Sequence, residues 1–564
     1  MPASNPLGFA PADWLLAILT GIFILAAFIW SPTVQRVFTA LATRTGLCMV
    51  LLFILPGALR LLLLPHHPAP TPEIYDEFSH LLVADTLLHG RLANPPHPLP
   101  QFFETFFELQ RPTYSSIYPL GQGIVLAAGK LLSGEPWTGV LVAAGAFCGL
   151  CYWMLRGWVT PVWALLGGFL AVMEFGPLNQ WMNSYWGGAL PAAAGCLVFG
   201  ALPRLVDGWR TRYAVLLGVG FGAHMLVRQF ESLLLFAAVV LFLLPSFFQR
   251  ESRPKLFQGV ARTLLAVFPV VGLILLHNRA VTHNWTTLPE QLSRYQYGVP
   301  ASLTIQPNPT PHAALTPQQE LDYKAQALMH GAGTDTALRF LLRLQYRVRY
   351  YRFFFLPPLY IALIAFLFAL RNRRLLWVTA TVAIFALGTN LFPYLLLHYL
   401  AAVTCLFVLV SVIGLQQLSR LYIRGTPVGT EIVRVLVLLC VAEFTTWYAL
   451  HLFENPAAYS VLRYETWDSI EGGRQQRRIE VQRQLAAMPG QLLVFVRYSA
   501  HHRYQDEWVW NGAEIDASRV VYARDLGPTE NEKLIRYFPT RKLLLLEPDH
   551  DPPSIAPFQR VQEK

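Results

Sequence analysis

Charge is what this chain has least of: Asp, Glu, Lys and Arg make up 14% of its 564 residues, where soluble domains carry about 25%. With 54% hydrophobic residues, that scarcity excludes an ordinary soluble enzyme and implies an integral membrane protein. Cysteine is sparse too. The six (Cys48, Cys148, Cys151, Cys196, Cys405 and Cys440) all lie inside apolar runs. The Cys148/Cys151 spacing is met by no second ligand pair, so these thiols read as small core hydrophobes rather than a metal or redox motif. No internal repeat of roughly 20–50 residues is visible, which removes solenoids and propellers. The amino terminus, Met1-Pro-Ala-Ser-Asn-Pro6, has no basic region and no cleavage site, and reads as an uncleaved first span.

The formal net charge of +10 does not point to nucleic acid, because the basic residues sit in short clusters between apolar runs, as orientation signals do. Apolar runs set against breakers give about twelve candidate spans, near 13–30, 46–64, 138–156, 160–177, 185–202, 213–228, 231–248, 260–278, 353–370, 375–392, 398–418 and 432–451. Pro119 to Leu132 is apolar but short, carries Gly121, Gly123, Gly129 and Lys130, and reads as interfacial or re-entrant. Leaving it out of the count puts Arg36/Arg44, Arg156, Arg204/Arg210/Arg212, Arg250/Arg253/Lys255, Arg371/Arg373/Arg374 and Arg420/Arg424 on the cytoplasmic side. Counting it as a span reverses two of the strongest clusters, against the positive-inside bias.

The expected fold is therefore an all-α polytopic membrane protein over residues 1–451, with interfacial helices in its first large outer loop. Residues 65–137 and 279–352 form large outer loops, and 452–564 follow as a small extracytoplasmic α/β domain. In that tail a helical run, Arg474 to Met488, precedes strand-like segments at 491–498, 519–523 and 542–546, with a helix at Glu530–Tyr537. It contains no cysteine and no glycine-rich phosphate loop, and shows no chemistry of its own.

One stretch stands out against the apolar background: Ile74-Tyr-Asp-Glu-Phe-Ser-His-Leu-Leu-Val-Ala-Asp-Thr-Leu-Leu-His-Gly-Arg91. On a helix Ile74, Phe78, Leu81, Leu82 and Leu88 form one apolar stripe, with Asp76 and His80 together on the opposite face. That pattern predicts a helix lying on the membrane surface. Asp85 falls inside the apolar stripe, where a carboxylate needs a partner; an arginine or a hydroxyl is expected. Acids stabilise the first turn of any helix, so on the residues alone a solvated helix start explains Asp76 and Glu77 equally well. The spacing of His80, His89 and His97 matches no compact metal site.

The string Asp76-Glu-Phe-Ser-His-Leu-Leu-Val-Ala-Asp-Thr-Leu-Leu-His-Gly-Arg-Leu92, followed by Tyr118-Pro119-Leu-Gly-Gln-Gly123, resembles the GT-C class of membrane glycosyltransferases. That class includes protein O-mannosyltransferases and the lipid A aminoarabinose transferase. The resemblance covers roughly 45–300 and thins to a hydropathy pattern up to about 450. It implies a polyprenyl-phosphate-linked sugar as donor, a glycan, lipid or protein acceptor, and membrane lipids as surroundings. It also implies a bacterial inner-membrane location and maps the proposed catalytic base onto Asp76, with Glu77 beside it. No cofactor is implied; a divalent ion at the acidic loop stays open, but no set of oxygen ligands for one is readable.

A phosphate leaving group needs cations rather than a general acid, and one carboxylate suffices to deprotonate an attacking hydroxyl. Neighbouring acids on one helix diverge by about 100° and cannot flank a sugar as the paired acids of a glycosidase do, which favours transfer with inversion. Candidate groups for the donor's phosphate and sugar are Arg228, His80, Asp85, Arg279 and His398, with Arg294 and the run Arg343/Arg347/Arg349/Arg352 behind them. Arg228 leads, because an arginine at the membrane edge beside Glu231 otherwise needs a structural ion pair to justify it. Asn183 and Tyr185 read as packing residues. Two other classes of function fit parts of the pattern: a transporter or flippase of a lipid-linked substrate, and a non-catalytic scaffold of the same fold.

Overall fold

The computed structural model describes residues 18–22, 25, 32–331, 333–453, 470 and 475–559. The span expected at 13–30 lies largely outside them. Among the described residues seven helices are long and apolar enough to cross a bilayer: Thr45–Leu62, Trp137–Leu155, Ala189–Gly208, Gln229–Phe248, Arg253–Thr282, Leu397–Leu418 and Gly429–Leu452. An eighth results if the broken pair Ala337–Phe354 and Pro357–Ala369, bent by 114°, counts as one span. The chain is a multi-pass, mostly helical membrane protein.

Helix length supports seven or eight spans among the described residues rather than about twelve. Three expected spans form shorter helices: Pro161–Phe175 and Thr211–Met225 have 15 residues each, and Arg373–Thr389 has 17. At 1.5 Å per residue they reach about 22–26 Å, short of a hydrocarbon core of about 30 Å. The run expected at 353–370 is broken because Pro357 and Pro358 interrupt the backbone ladder, leaving only Tyr360–Phe366 as α-helix. Aromatic side chains fill the bundle's centre, with Phe147, Phe175, Trp181, Phe353 and Phe354 packed ring on ring. All six cysteines are free and buried.

Both long connections and the tail assemble at one end of this bundle. The acidic helix, Tyr75–Leu88, is followed by a two-residue antiparallel pair, β1 (Glu108–Leu109) with β2 (Ser115–Ser116). Leu120–Ser133 forms next, a 14-residue helix packed between the acidic helix and Trp137–Leu155. The acidic helix does not lie exposed on a surface. Asp76, Glu77, Phe78, Ser79, His80, Leu82, Val83, Ala84 and Thr86 are all buried, so it is covered nearly all round.

The tail supplies one of the covers. Its four strands, β3 (Leu492–Val496), β4 (Val520–Arg524), β5 (Lys542–Glu547) and β6 (Ser554–Pro557), run in the order β4-β3-β5-β6. β3 is parallel to both β4 and β5, and β6 closes the edge antiparallel to β5. Every residue of β3 is buried, as an unbroken apolar run in a central parallel strand requires. One face, Leu492, Val494 and Val496, packs on Val481 and Leu485 of the helix Gln475–Ala487. The other, Leu493 and Phe495, shares a core with Leu82 of the acidic helix and with Phe102, Phe103 and Tyr114.

Candidate functional site

The acidic helix starts where Glu77 folds back on the chain before it. Its Oε2 accepts the amides of Glu73 (2.9 Å) and Ile74 (3.3 Å), a capping arrangement that satisfies orphan donors of the first turn. Its Oε1 accepts the amide of Tyr185 at 2.9 Å. Both oxygens of Glu77 are therefore committed to backbone. It anchors the start of the helix to the chain before it and to Tyr185.

Asp76 is differently placed. It is 6% exposed, and its Oδ1 accepts a hydrogen bond from the Tyr118 hydroxyl. Burial pushes its pKa up to about 6; Tyr118, Trp186 and the Arg228 charge pull the other way, and Glu77 adds to the rise. Tyr118 stacks on the His80 ring at 4.2 Å. Burial, with the Arg228 charge, holds His80 down to about 3, so its imidazole is neutral, and neither ring nitrogen has a hydrogen-bond partner.

Two glycines bring Arg228 to this spot. A Cβ on Gly123 would lie 2.2 Å from Val83 Cγ1, so only glycine lets the helix Leu120–Ser133 come this close to the acidic helix. The Gly121 amide then donates to the Leu226 carbonyl at 2.7 Å, and a Cβ there would stand 2.7 Å from that oxygen. The turn carrying Arg228 is thereby tied to the acidic helix through a third element. Arg228 is half-buried, its guanidinium sits 5.1 Å over the Tyr399 ring, and its Nε is buried without a partner. Glu231, one turn on, is buried with Oε1 unpartnered, and among the described residues no ion pair within 4.0 Å links it to Arg228. The structural pairing of these two residues is not formed.

His398 joins the group through aromatic edges, 5.1 Å from Trp186 and 5.0 Å from Tyr399. Asp76, His80, Arg228 and His398 thus share one neighbourhood. Asp85 and Arg279 lie elsewhere. Asp85 is nine residues along the helix, about 13 Å away and on the opposite face. Its Oδ2 accepts the Ala513 amide at 2.7 Å and its Oδ1 lies 3.6 Å from Lys130 Nζ. The partner expected as an arginine or hydroxyl is a lysine and a tail amide, so Asp85 ties the acidic helix to the tail. Arg279 is exposed and donates to the His283 carbonyl at the end of its own helix. Asn183 packs: it accepts Arg60 Nε at 2.6 Å and donates to Pro177 and Asn179.

Residues that pattern reading does not single out complete the neighbourhood. Tyr118 was visible in its motif but without a role. Trp186 and Tyr399 sit in apolar runs where aromatic residues are unremarkable. Asp322 belongs to Pro317–His330 in the second long connection; it is buried, accepts Gln326 Nε2 at 2.6 Å, and is pushed up to about 7 by burial, with the Asp76 charge adding to the rise.

Chemically, the arrangement offers an acid that ionises just below neutral pH and, beside it, a cation that makes no close ion pair among the described residues. Around them, His80, Arg228 and Glu231 carry polar atoms that are buried and unmatched. Such atoms are rare in folded proteins, and several in one place mark where a polar ligand completes the hydrogen bonding.

The sequence matches no family model and no curated protein. The structure resembles the ArnT of Cupriavidus metallidurans bound to undecaprenyl phosphate, at 12% identity and a TM-score of 0.51, over 88% of this chain and 92% of that one. The chain shares the fold of that ArnT. A more distant likeness to the oligosaccharyltransferase AglB of Archaeoglobus fulgidus, in complex with an inhibitory peptide and a dolichol-phosphate, has a TM-score of 0.37 at 11% identity, over 92% of this chain and 70% of that one. At 12% identity the likeness to ArnT shows the fold alone and leaves the chemistry to be argued from the site.

Proposed function

We propose that this protein transfers a sugar from a polyprenyl-phosphate donor to a hydroxyl of an envelope acceptor, at the outer face of a bacterial inner membrane. The observation that carries the reading is the meeting of buried Asp76, ionisable near neutral pH, with the charge of an Arg228 that makes no close ion pair among the described residues, beside unpartnered polar atoms. The ArnT that shares the fold was solved with undecaprenyl phosphate bound, which agrees in donor class. The outward placement of the site rests on the basic clusters, which the positive-inside bias puts on the opposite side.

In this mechanism Arg228 neutralises the donor's phosphate, with His80 and His398 lining the pocket around it. The acceptor oxygen attacks the anomeric carbon from the face opposite the phosphate. The new carbon–oxygen bond forms as the bond to phosphate breaks, the phosphate leaves with the electron pair, and the hydroxyl proton passes to the Asp76 carboxylate. The anomeric configuration inverts. With a pKa of about 6, Asp76 is mostly ionised at pH 7 yet basic enough to take that proton. Glu77, committed to three backbone amides, offers no second acid for hydrolysis.

The test is donor binding. Native mass spectrometry of protein purified with its own lipids is expected to find a polyprenyl-phosphate species on the wild type and much less of it on Arg228→Gln. Equal occupancy of the two proteins, or no polyprenyl species on either, overturns the assignment.

A further inference from the structure

The acidic helix is gripped along its whole length by one segment of the tail. Asp506–Asp516 has no strand or helix of its own, so its backbone groups must find partners elsewhere. It finds them on the acidic helix and the loop that follows, in matching order. Asp506 bridges to Ile74 at the helix start. Trp510 Nε1 donates to the Phe78 carbonyl at 3.1 Å, and the two rings lie 5.4 Å apart. The Ala513 amide donates to Asp85 at 2.7 Å. Glu514 pairs with Arg91 at 2.5 Å, and Asp516 with His97 at 3.2 Å.

This strap is itself held to the tail's sheet. Asn511 exchanges two hydrogen bonds with the Tyr522 backbone, at 2.8 and 3.0 Å, along the open edge of β4. Glu507 accepts the Tyr498 hydroxyl at 2.6 Å, and Arg478 spans both bodies, donating to the Glu507 carbonyl at 2.6 Å while lying 4.8 Å over Phe78 and 4.2 Å over Trp508.

The side of the helix that the strap covers is informative. At about 100° per residue Phe78 is 200° from Asp76, and Phe78, Leu82 and Asp85 fall in one line. The strap presses on the face opposite the one that presents Asp76 and His80. That explains Asp85 in an apolar stripe: the stripe faces a protein domain with an amide to offer, not lipid.

We infer that the strap Asp506–Asp516 is the positioning device of the transferase, and that Trp510, with Arg478, sets where Asp76 stands relative to the donor held by Arg228. The inference rests on the reading of Asp76 as base. Donor affinity comes from the other side of the site, through Arg228, so a loosened strap lowers turnover without weakening binding. Misplacement of a reacting group by about 1 Å can cost up to about a hundredfold in rate.

The test uses full-length protein in lipid. Trp510→Phe keeps an aromatic ring against Phe78 and removes the indole N–H together with the second ring. Gly512→Ala acts at the helix's far end, since its Cβ would stand 2.6 Å from Asp85 Oδ2 and force that side chain off the strap. Each variant is expected to fold and to lose about tenfold in kcat with KM for the lipid-linked donor unchanged. Amide hydrogen exchange across 75–82 is expected to speed up at the same time. Wild-type kcat and exchange in both variants, or a loss that falls on KM instead, overturns the inference. If the wild type shows no transfer, the fault lies with the functional reading, and hydrogen exchange alone then decides whether the strap holds the helix.

Discussion

Removing the Tyr118 hydroxyl is expected to move the acid limb of the reaction's pH profile upward. A base works only when deprotonated, so kcat rises with pH through the pKa of Asp76, held at about 6 by burial against the opposing pull of its neighbours. Tyr118 donates to the ionised carboxylate, and a hydrogen bond to a charged group is worth about 1.5–3 kcal/mol. At 1.36 kcal/mol per pKa unit, its loss raises the limb by about 1–2 units. The ionised fraction of Asp76 at pH 7 then drops from about nine-tenths to between about a half and a tenth, and kcat falls roughly two- to ninefold. Activity returns as the pH approaches about 9. Tyr118→Phe keeps the ring stacked on His80, and His80, held down to about 3, contributes no limb of its own in this range. The assay is initial-rate transfer from a lipid-linked donor between pH 5 and 9 at saturating donor. A limb that stays put, or moves to lower pH, refutes the argument.

Two further substitutions test the parts that support Asp76. Glu77→Gln replaces an oxygen that accepts backbone amides with an NH2 group that cannot, leaving at least one buried donor unmatched at a cost of about 1–3 kcal/mol. A lower thermal midpoint is expected while kcat per folded molecule stays near the wild-type value; loss of kcat in stable protein would instead return Glu77 to the chemistry. Gly121→Ala forces a methyl against the Leu226 carbonyl, an overpacking that costs about 1–3 kcal/mol and shifts the turn bearing Arg228. Donor binding, measured by titration in lipid nanodiscs, is expected to weaken; unchanged affinity would show that this contact does not place Arg228.

The sequence carried the membrane class, the acidic helix and three of the tail's strands, because each leaves a local pattern: apolar length, a polar break in an apolar chain, and short runs of β-forming residues. β6 escaped notice because Ser554–Pro557 is four residues long, ends in proline and exists only by pairing with β5. Span number differs between the two readings because hydropathy reads apolar length and cannot see that Pro357 and Pro358 interrupt a run, or that three of the runs form short helices. Asp76, His80, Arg228 and His398 could be nominated from residue type and position. The three amides on Glu77 were illegible because an acid that caps a helix and an acid that reacts look alike in sequence. Asp85 looked anomalous for a related reason: its stripe was read as facing lipid, and no pattern inside the acidic helix announces a strap more than 400 residues downstream. Asp322 and Trp186 were illegible because their roles depend on which connections meet at one end of the bundle.

The most direct measurement of the central claim is single-turnover transfer by purified Asp76→Asn protein loaded with a polyprenyl-phosphate sugar. The account predicts that donor loading matches the wild type, because Arg228 is untouched, and that transfer to acceptor is abolished across the pH range, because an amide cannot take the proton. Transfer at the wild-type rate by the loaded variant would contradict it.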